Sequence, residues 1–152
     1  MLGTAQWGAE YGITNRKGRL TDADLAAIVS VAQGSGITAV DTAAGYGDAQ
    51  TRLRRWSHQF AVRTKISGKD AVRIPEHVQE CLEELDVARL DGCLLHDWDA
   101  LEAGTATQAA GELERTRTEG FSAAVGVSVY DENALRSALD AFESLAMVQV
   151  PA

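Results

Sequence analysis

Residues 37–47 read Ile37-Thr-Ala-Val-Asp41-Thr-Ala-Ala-Gly-Tyr46-Gly, a short β-prone apolar run that ends on a carboxylate and passes into a small-residue turn carrying a phenol. Two later segments have the same form. Phe60-Ala-Val-Arg-Thr ends on Lys65, and Cys93-Leu-Leu ends on His96. Side chains at the carboxyl ends of parallel strands converge on one mouth, where barrel and doubly wound enzymes do their chemistry. An acid, a phenol, an ammonium and an imidazole meeting there form a proton-transfer device, provided their strands are neighbours.

The segments between these runs predict helices. Thr21 reads as an N-cap, with Asp22 and Asp24 favourable to the dipole of the first turn, and Leu25, Ile28, Val29 and Ala32 recur at helical spacing before Gly34 and Gly36. Upstream, Leu2-Gly-Thr-Ala predicts a short first strand and Glu10–Arg19 a long polar loop. Downstream, Gln50–His58 is read as the second helix and Phe60–Ile66 as a strand. A helix then begins near Pro75, with Val78, Cys81, Leu82 and Leu85 on one face. Strand Leu90–Leu95, a helix over Thr107–Thr118 ending at Gly120, and strand Ala123–Val129 follow. Asp131 is placed to cap a helix carrying Leu135, Leu139 and Phe142, and Met147–Val150 is a last strand stopped by Pro151. Helices alternating with short apolar strands mean parallel pairing with the sheet covered. About six strands with five intervening helices fit an open doubly wound sheet or an incomplete eight-stranded barrel, and pattern alone leaves both open.

With 152 residues, the chain is expected to form a single domain over 1–152, with a core of its own. A formal net charge of −8 argues against nucleic acid, whose binding rests on clustered Lys and Arg, but not against a small anionic cofactor. No apolar run approaches the length of a membrane helix, so no membrane partner is expected. A cytoplasmic location is the expectation, and Cys81 and Cys93, which have no C-x-x-C spacing, fit reduced buried thiols. No metal site is expected. No G-x-G-x-x-G follows a strand, and Gly45-Tyr-Gly47 is not a phosphate loop, because a bulky side chain fills its centre. His58 and His77 sit on polar helix faces and are given no role.

Leu2-Gly-Thr-Ala-Gln-Trp-Gly, Tyr11-Gly-Ile-Thr-Asn, Asp41-Thr-Ala-Ala-Gly-Tyr-Gly, Thr64-Lys65, Leu94-Leu-His-Asp, Gly126-Val-Ser-Val-Tyr and Val148-Gln-Val-Pro together resemble the aldo-keto reductase family, in that family's order and at roughly its spacing. The resemblance implies an incomplete TIM (β/α)8 barrel, truncated after its sixth strand. It also implies reduction of an aldehyde or ketone by a nicotinamide cofactor, usually NADPH. The family's seventh and eighth units supply most of the grip on the cofactor's phosphates, so NADP preference does not carry over, nor does the aromatic that stacks on the nicotinamide. Gln50 stands where the family often has Glu, and Val129 where many members have Asn.

By this resemblance Tyr46 is the proton donor. An ordinary phenol, with a pKa of about 10, donates poorly near neutrality, and a nearby Lys65 ammonium is expected to pull that value down. Asp41 would pair with Lys65 and fix it, while His96 would hydrogen-bond the carbonyl oxygen and share its developing charge. Ser128 and Gln149 would bind the nicotinamide carboxamide, Gly3 and Thr4 would form part of the cofactor wall, and Trp7 is placed as a substrate-pocket aromatic. Each residue taken singly also fits a structural role: Asp41 a turn residue, Tyr46 a loop aromatic, Lys65 an exposed strand-end lysine, His96 a satisfied histidine. Their common strand-end placement favours the functional reading. Two rivals remain: a Schiff-base aldolase using Lys65, and a truncated barrel without activity whose open sheet edges drive self-association.

Overall fold

A computed structural model describes residues 1–13, 15–16 and 18–150 of the chain. Thr14 of the Tyr11–Asn15 motif and Pro151, read as the stop of the last strand, lie outside the described residues. The strands are β1 (Leu2–Gly3), β2 (Ala39–Asp41), β3 (Ala61–Ile66), β4 (Gly92–Leu95), β5 (Val125–Ser128) and β6 (Met147–Gln149). All pair in parallel, in the order of the sequence. Between them run α1 (Ala5–Gly8), α2 (Asp22–Gly34), α3 (Ala49–Leu53), α4 (Ile74–Leu85), α5 (Ala103–Thr118) and α6 (Glu132–Ala141). Sequential neighbours all along the sheet make it part of a barrel. A doubly wound sheet reverses its strand order at a switch point, and this one does not.

Period-two alternation gives the sheet two faces. Val40, Val62, Ile66, Cys93, Leu95, Val125 and Val127 face the helices and are buried with Leu25 and Val29 of α2, Leu53 of α3, Val78 and Leu85 of α4 and Leu113 of α5. Each such side chain contributes about 1.5–3 kcal/mol on burial, which makes this layer the stabilising core. The other face carries Asp41, Arg63, Lys65, Leu94, Met147 and Gln149 toward the barrel interior. Two glycines there let the sheet curl. A Cβ on Gly126 would overlap the Met147 carbonyl, and one on Gly92 would stand 2.5 Å from the Met147 sulfur. Met147 thereby crosses β5 to lie over β4.

The helix starts follow the sequence signals. Thr21 and Asp24 form a reciprocal capping box on α2, and Asp131 accepts the Ala134 N–H at 2.9 Å at the start of α6. Several boundaries differ from expectation. The segment read as one helix over Gln50–His58 is a five-residue α3, a turn, and a single 3-10 turn at Ser57–Gln59. Leu90 makes only an isolated bridge to Ser122, so β4 begins at Gly92. Leu139 is 58% exposed: the buried side of α6 runs through Ala138 and Phe142, and Leu139 falls off that stripe. Among the described residues β1 and β6 each have a single strand neighbour, so the half-barrel is open along two edges. No described helix is long and apolar enough to cross a membrane.

Candidate active site

Three adjacent strand ends bring the four polar groups together. Lys65, buried on β3, donates from Nζ to Oδ1 and Oδ2 of Asp41 at 2.8 and 2.7 Å, and to the Thr42 carbonyl at 2.9 Å. Its three N–H bonds are therefore all engaged. The same ammonium lies 5.2 Å from the centre of the Tyr46 ring. The His96 ring meets Tyr46 edge to face, with centroids 5.8 Å apart and planes at 83°. The His96 N–H continues the β3–β4 ladder by donating to the Ile66 carbonyl at 2.9 Å, which fixes the imidazole's point of departure.

The Tyr46 turn is seated by glycine. A Cβ on Gly8 would overlap the Tyr46 carbonyl oxygen, and one on Gly47 would stand 2.5 Å from the Gly8 carbonyl. Gly47 also has φ +61°, a conformation glycine adopts without strain. The end of α1 and the tyrosine turn thus touch backbone to backbone. Arg19 and Arg52 both donate to the Trp7 carbonyl, while Arg19 pairs with Asp48 and Arg52 with Asp22. These guanidiniums lock α1 to the start of α2 and to α3.

Burial, and after it the Asp41 carboxylate, hold the Tyr46 phenol above its ordinary pKa. This reverses the expectation that Lys65 pulls the phenol down. The ammonium's charge is matched by a carboxylate that grips it through both oxygens, and the ring is partly desolvated. His96 is held below the usual imidazole value, by burial first and then by Lys65, with Asp97 and Asp41 opposing. At neutral pH the site therefore holds a protonated phenol and a neutral imidazole.

The remaining predicted residues divide. Ser128 and Gln149 are register partners on β5 and β6, on the interior face. Neither side chain makes a hydrogen bond within the described residues, so a hydroxyl and a carboxamide stand free side by side. Gly3 pairs with Asp41 in register, and a Cβ on it would meet nothing within 4 Å. Thr4 is fully buried, and its hydroxyl donates to the Asp41 carbonyl at 3.1 Å, so it braces β2 where it borders the recess beside Asp41. Trp7 is 1% exposed and packs edge-on against Trp56, with centroids 6.1 Å apart. It borders a recess of about 470 Å³ shared with Gly3, Tyr11, Asp41 and Tyr46, but as part of the core wall and not as a free pocket aromatic.

Sequence reasoning passed over Gly8, Arg19, Arg52 and Asp97. The Gly8–Gly47 contact spans 39 positions and leaves no local pattern, whereas Asp97 beside His96 was visible as a carboxylate next to a strand-end histidine. Cys81 and Cys93 are free and buried, and burial pushes the Cys81 thiol up to about 11, so neither is a ready nucleophile. A recess of about 580 Å³ among Arg52, Arg54, Arg55 and Trp56 lies on the helical layer, away from the strand ends.

The sequence model of the Aldo/keto reductase family matches residues 1–152. A protein of Mycobacterium marinum named aldo-keto reductase is 29% identical over 129 residues, covering 80% of this chain and 46% of its own length. Among solved structures, a Pseudomonas aeruginosa protein described as an aldo-keto reductase superposes with TM-score 0.79 at 24% identity, over 98% of this chain and 61% of that one. A Klebsiella pneumoniae aldo/keto reductase, solved in complex with NADP and acetate, gives TM-score 0.69 at 22% identity over 90% and 47%. The chain thus spans about half the length of the curated relatives it matches. A curled six-stranded parallel sheet, four polar groups gathered at its strand ends and a family match from the first residue to the last agree: the chain belongs to the aldo/keto reductase family.

Proposed function

We propose that this site reduces an aldehyde or ketone to an alcohol with NADPH, Tyr46 giving the proton. The single observation that carries the proposal is the Asp41–Lys65–Tyr46–His96 cluster, with Lys65 pinned by three acceptors and both rings at one mouth. A neutral His96 has an N–H to donate to the substrate oxygen, orienting it and sharing the charge that develops there. Tyr46, still protonated at neutral pH, releases its proton only to a base stronger than itself, which the nascent alkoxide is and the resting carbonyl is not. Lys65 supports the phenolate that this transfer leaves, and Asp41 keeps Lys65 from swinging into the mouth.

The free hydroxyl and carboxamide of Ser128 and Gln149, paired on adjacent strands, fit a ligand that bears its own carboxamide, and the open space at Gly3 lets a flat ring approach the first strand. When bound there, a reduced nicotinamide supplies hydride. The Schiff-base reading is disfavoured by Lys65 itself, because a lysine whose every N–H is donated to an acceptor has no lone pair to offer a carbonyl. The test is NADPH binding followed by fluorescence, with cofactor oxidation measured against a panel of aldehydes and ketones, in this chain and in Tyr46→Phe. Substrate-dependent oxidation that disappears in Tyr46→Phe supports the reading. Oxidation retained in Tyr46→Phe, or borohydride trapping of a carbonyl on Lys65, overturns it.

A further inference from the structure

The strand ends around the mouth are tied to one another by aspartates. Asp41 of β2 grips Lys65 of β3, and Asp99, after β4, accepts the Tyr130 N–H after β5 at 3.2 Å. Between these two ties stands a third that the chemistry above does not use. The Asp97 carboxylate accepts the Ser67 hydroxyl at 2.7 Å through one oxygen and the Gly68 N–H at 2.8 Å through the other. Ser67 and Gly68 begin the turn after Lys65-Ile66, and Asp97 directly follows His96, so one side chain joins the turn after the Lys65 strand to the turn that carries His96. Gly68 is buried, and a Cβ there would stand 2.7 Å from Leu101. The turn therefore sits tightly against the segment leading into α5. Without Asp97, its buried N–H would be left without an acceptor, a cost the fold otherwise avoids.

We infer that Asp97 is a positioning residue: its carboxylate clamps the Ser67–Gly68 turn to the His96 turn and so holds the imidazole against Tyr46. Only the consequence for turnover rests on the carbonyl-reduction reading, since the clamp is a feature of the fold. The charged and titratable groups facing His96 are Lys65 from β3, Asp41 from β2, Tyr46 from the turn after β2, and Asp97 itself. Asp97, ahead of Asp41, also opposes the effect of Lys65 on the ring.

The experiment follows the His96 imidazole and the Gly68 amide by NMR in the isotopically labelled 152-residue chain, with His96→Gln to assign the ring. Asp97→Asn and Asp97→Ala are compared with the unaltered chain, with circular dichroism and melting as folding controls. Asn retains an acceptor oxygen but no charge. It is expected to keep the Gly68 amide protected while the His96 titration midpoint falls. Ala is expected to lower the midpoint and to speed Gly68 exchange roughly tenfold or more, as loss of a hydrogen bond to a charged group implies. If Asp97→Ala does not fold, Ser67→Ala removes one arm of the clamp, and a shift of the His96 ring signals is expected there too. An unshifted ring in Ser67→Ala and Asp97→Asn, or unchanged exchange in a folded Asp97→Ala, overturns the proposal. In active protein, Asp97→Ala is expected to lower kcat/KM roughly 10–100-fold with NADPH affinity unchanged, the size of a sub-ångström misplacement. A shifted His96 in a chain without reductase turnover would reject the carbonyl reading and leave the clamp standing.

Discussion

Tyr46 sits beside a cation, yet burial first, and the Asp41 carboxylate after it, hold its proton more tightly than in a free phenol. On the proposed reading the group is an acid that waits for a strong base, and its removal should be felt in turnover and not in folding. Tyr46→Phe is expected to lower kcat roughly 10²–10⁴-fold, the range for loss of a general acid, with the melting temperature little changed. Lys65 differs, since it also holds the strand ends together through Asp41 and the Thr42 carbonyl. Lys65→Met leaves a largely buried carboxylate without its partner and is expected to cost roughly 3–5 kcal/mol in urea unfolding, part of which Asp41→Asn in the same chain should restore. His96 gives the pH dependence. Its folded pKa is depressed, so between that value and its ordinary one near 6.5 the unfolded chain binds more protons than the folded one. Stability should therefore rise with pH across that window and be lost as pH falls through it, and His96→Gln should flatten the slope in melts taken at several pH values. A chain whose slope is unchanged by His96→Gln would place the titrating group elsewhere.

At the scale of elements, the tyrosine turn rests against the end of α1, far from it in sequence. Gly47→Ala would force a side chain into the left-handed region, at roughly 1–2 kcal/mol, and against the Gly8 carbonyl as well. Its expected effect is lower stability together with an altered near-ultraviolet spectrum, as Tyr46 shifts. Gly111, mid-way along α5 with nothing near its missing Cβ, should respond oppositely. Gly111→Ala is expected to stabilise by about 0.5–1 kcal/mol through helix propensity alone, and a destabilised variant would contradict the packing described for α5. The shortness of α3 is legible only afterwards. Arg52, Arg54 and Trp56 continue a helical-looking pattern, but Arg52 is drawn to Asp22 and the Trp7 carbonyl, and Trp56 turns under Trp7, so tertiary contacts end the helix at Leu53.

For the whole molecule, the open sheet is the dominant feature. β1 and β6 present peptide groups without a strand partner among the described residues, and Val148 and Val150 are exposed beside one of those edges. Edges of this kind template association, so the 152-residue chain is expected to self-associate in sedimentation. A monodisperse monomer with a cooperative melt would contradict that expectation. The sequence by itself determined the alternation of strands and helices, the caps at Thr21 and Asp131, and which polar residues end the apolar runs, because each of these is written in neighbouring residues through side-chain periodicity and local hydrogen bonds. It left the sheet's closure undecided on pattern alone, and it misjudged the direction in which Tyr46 is shifted. Those were decided by the tertiary structure, since strand order, the Gly8–Gly47 contact and the field at a phenol depend on atoms brought together from distant positions, and no local pattern records their distances.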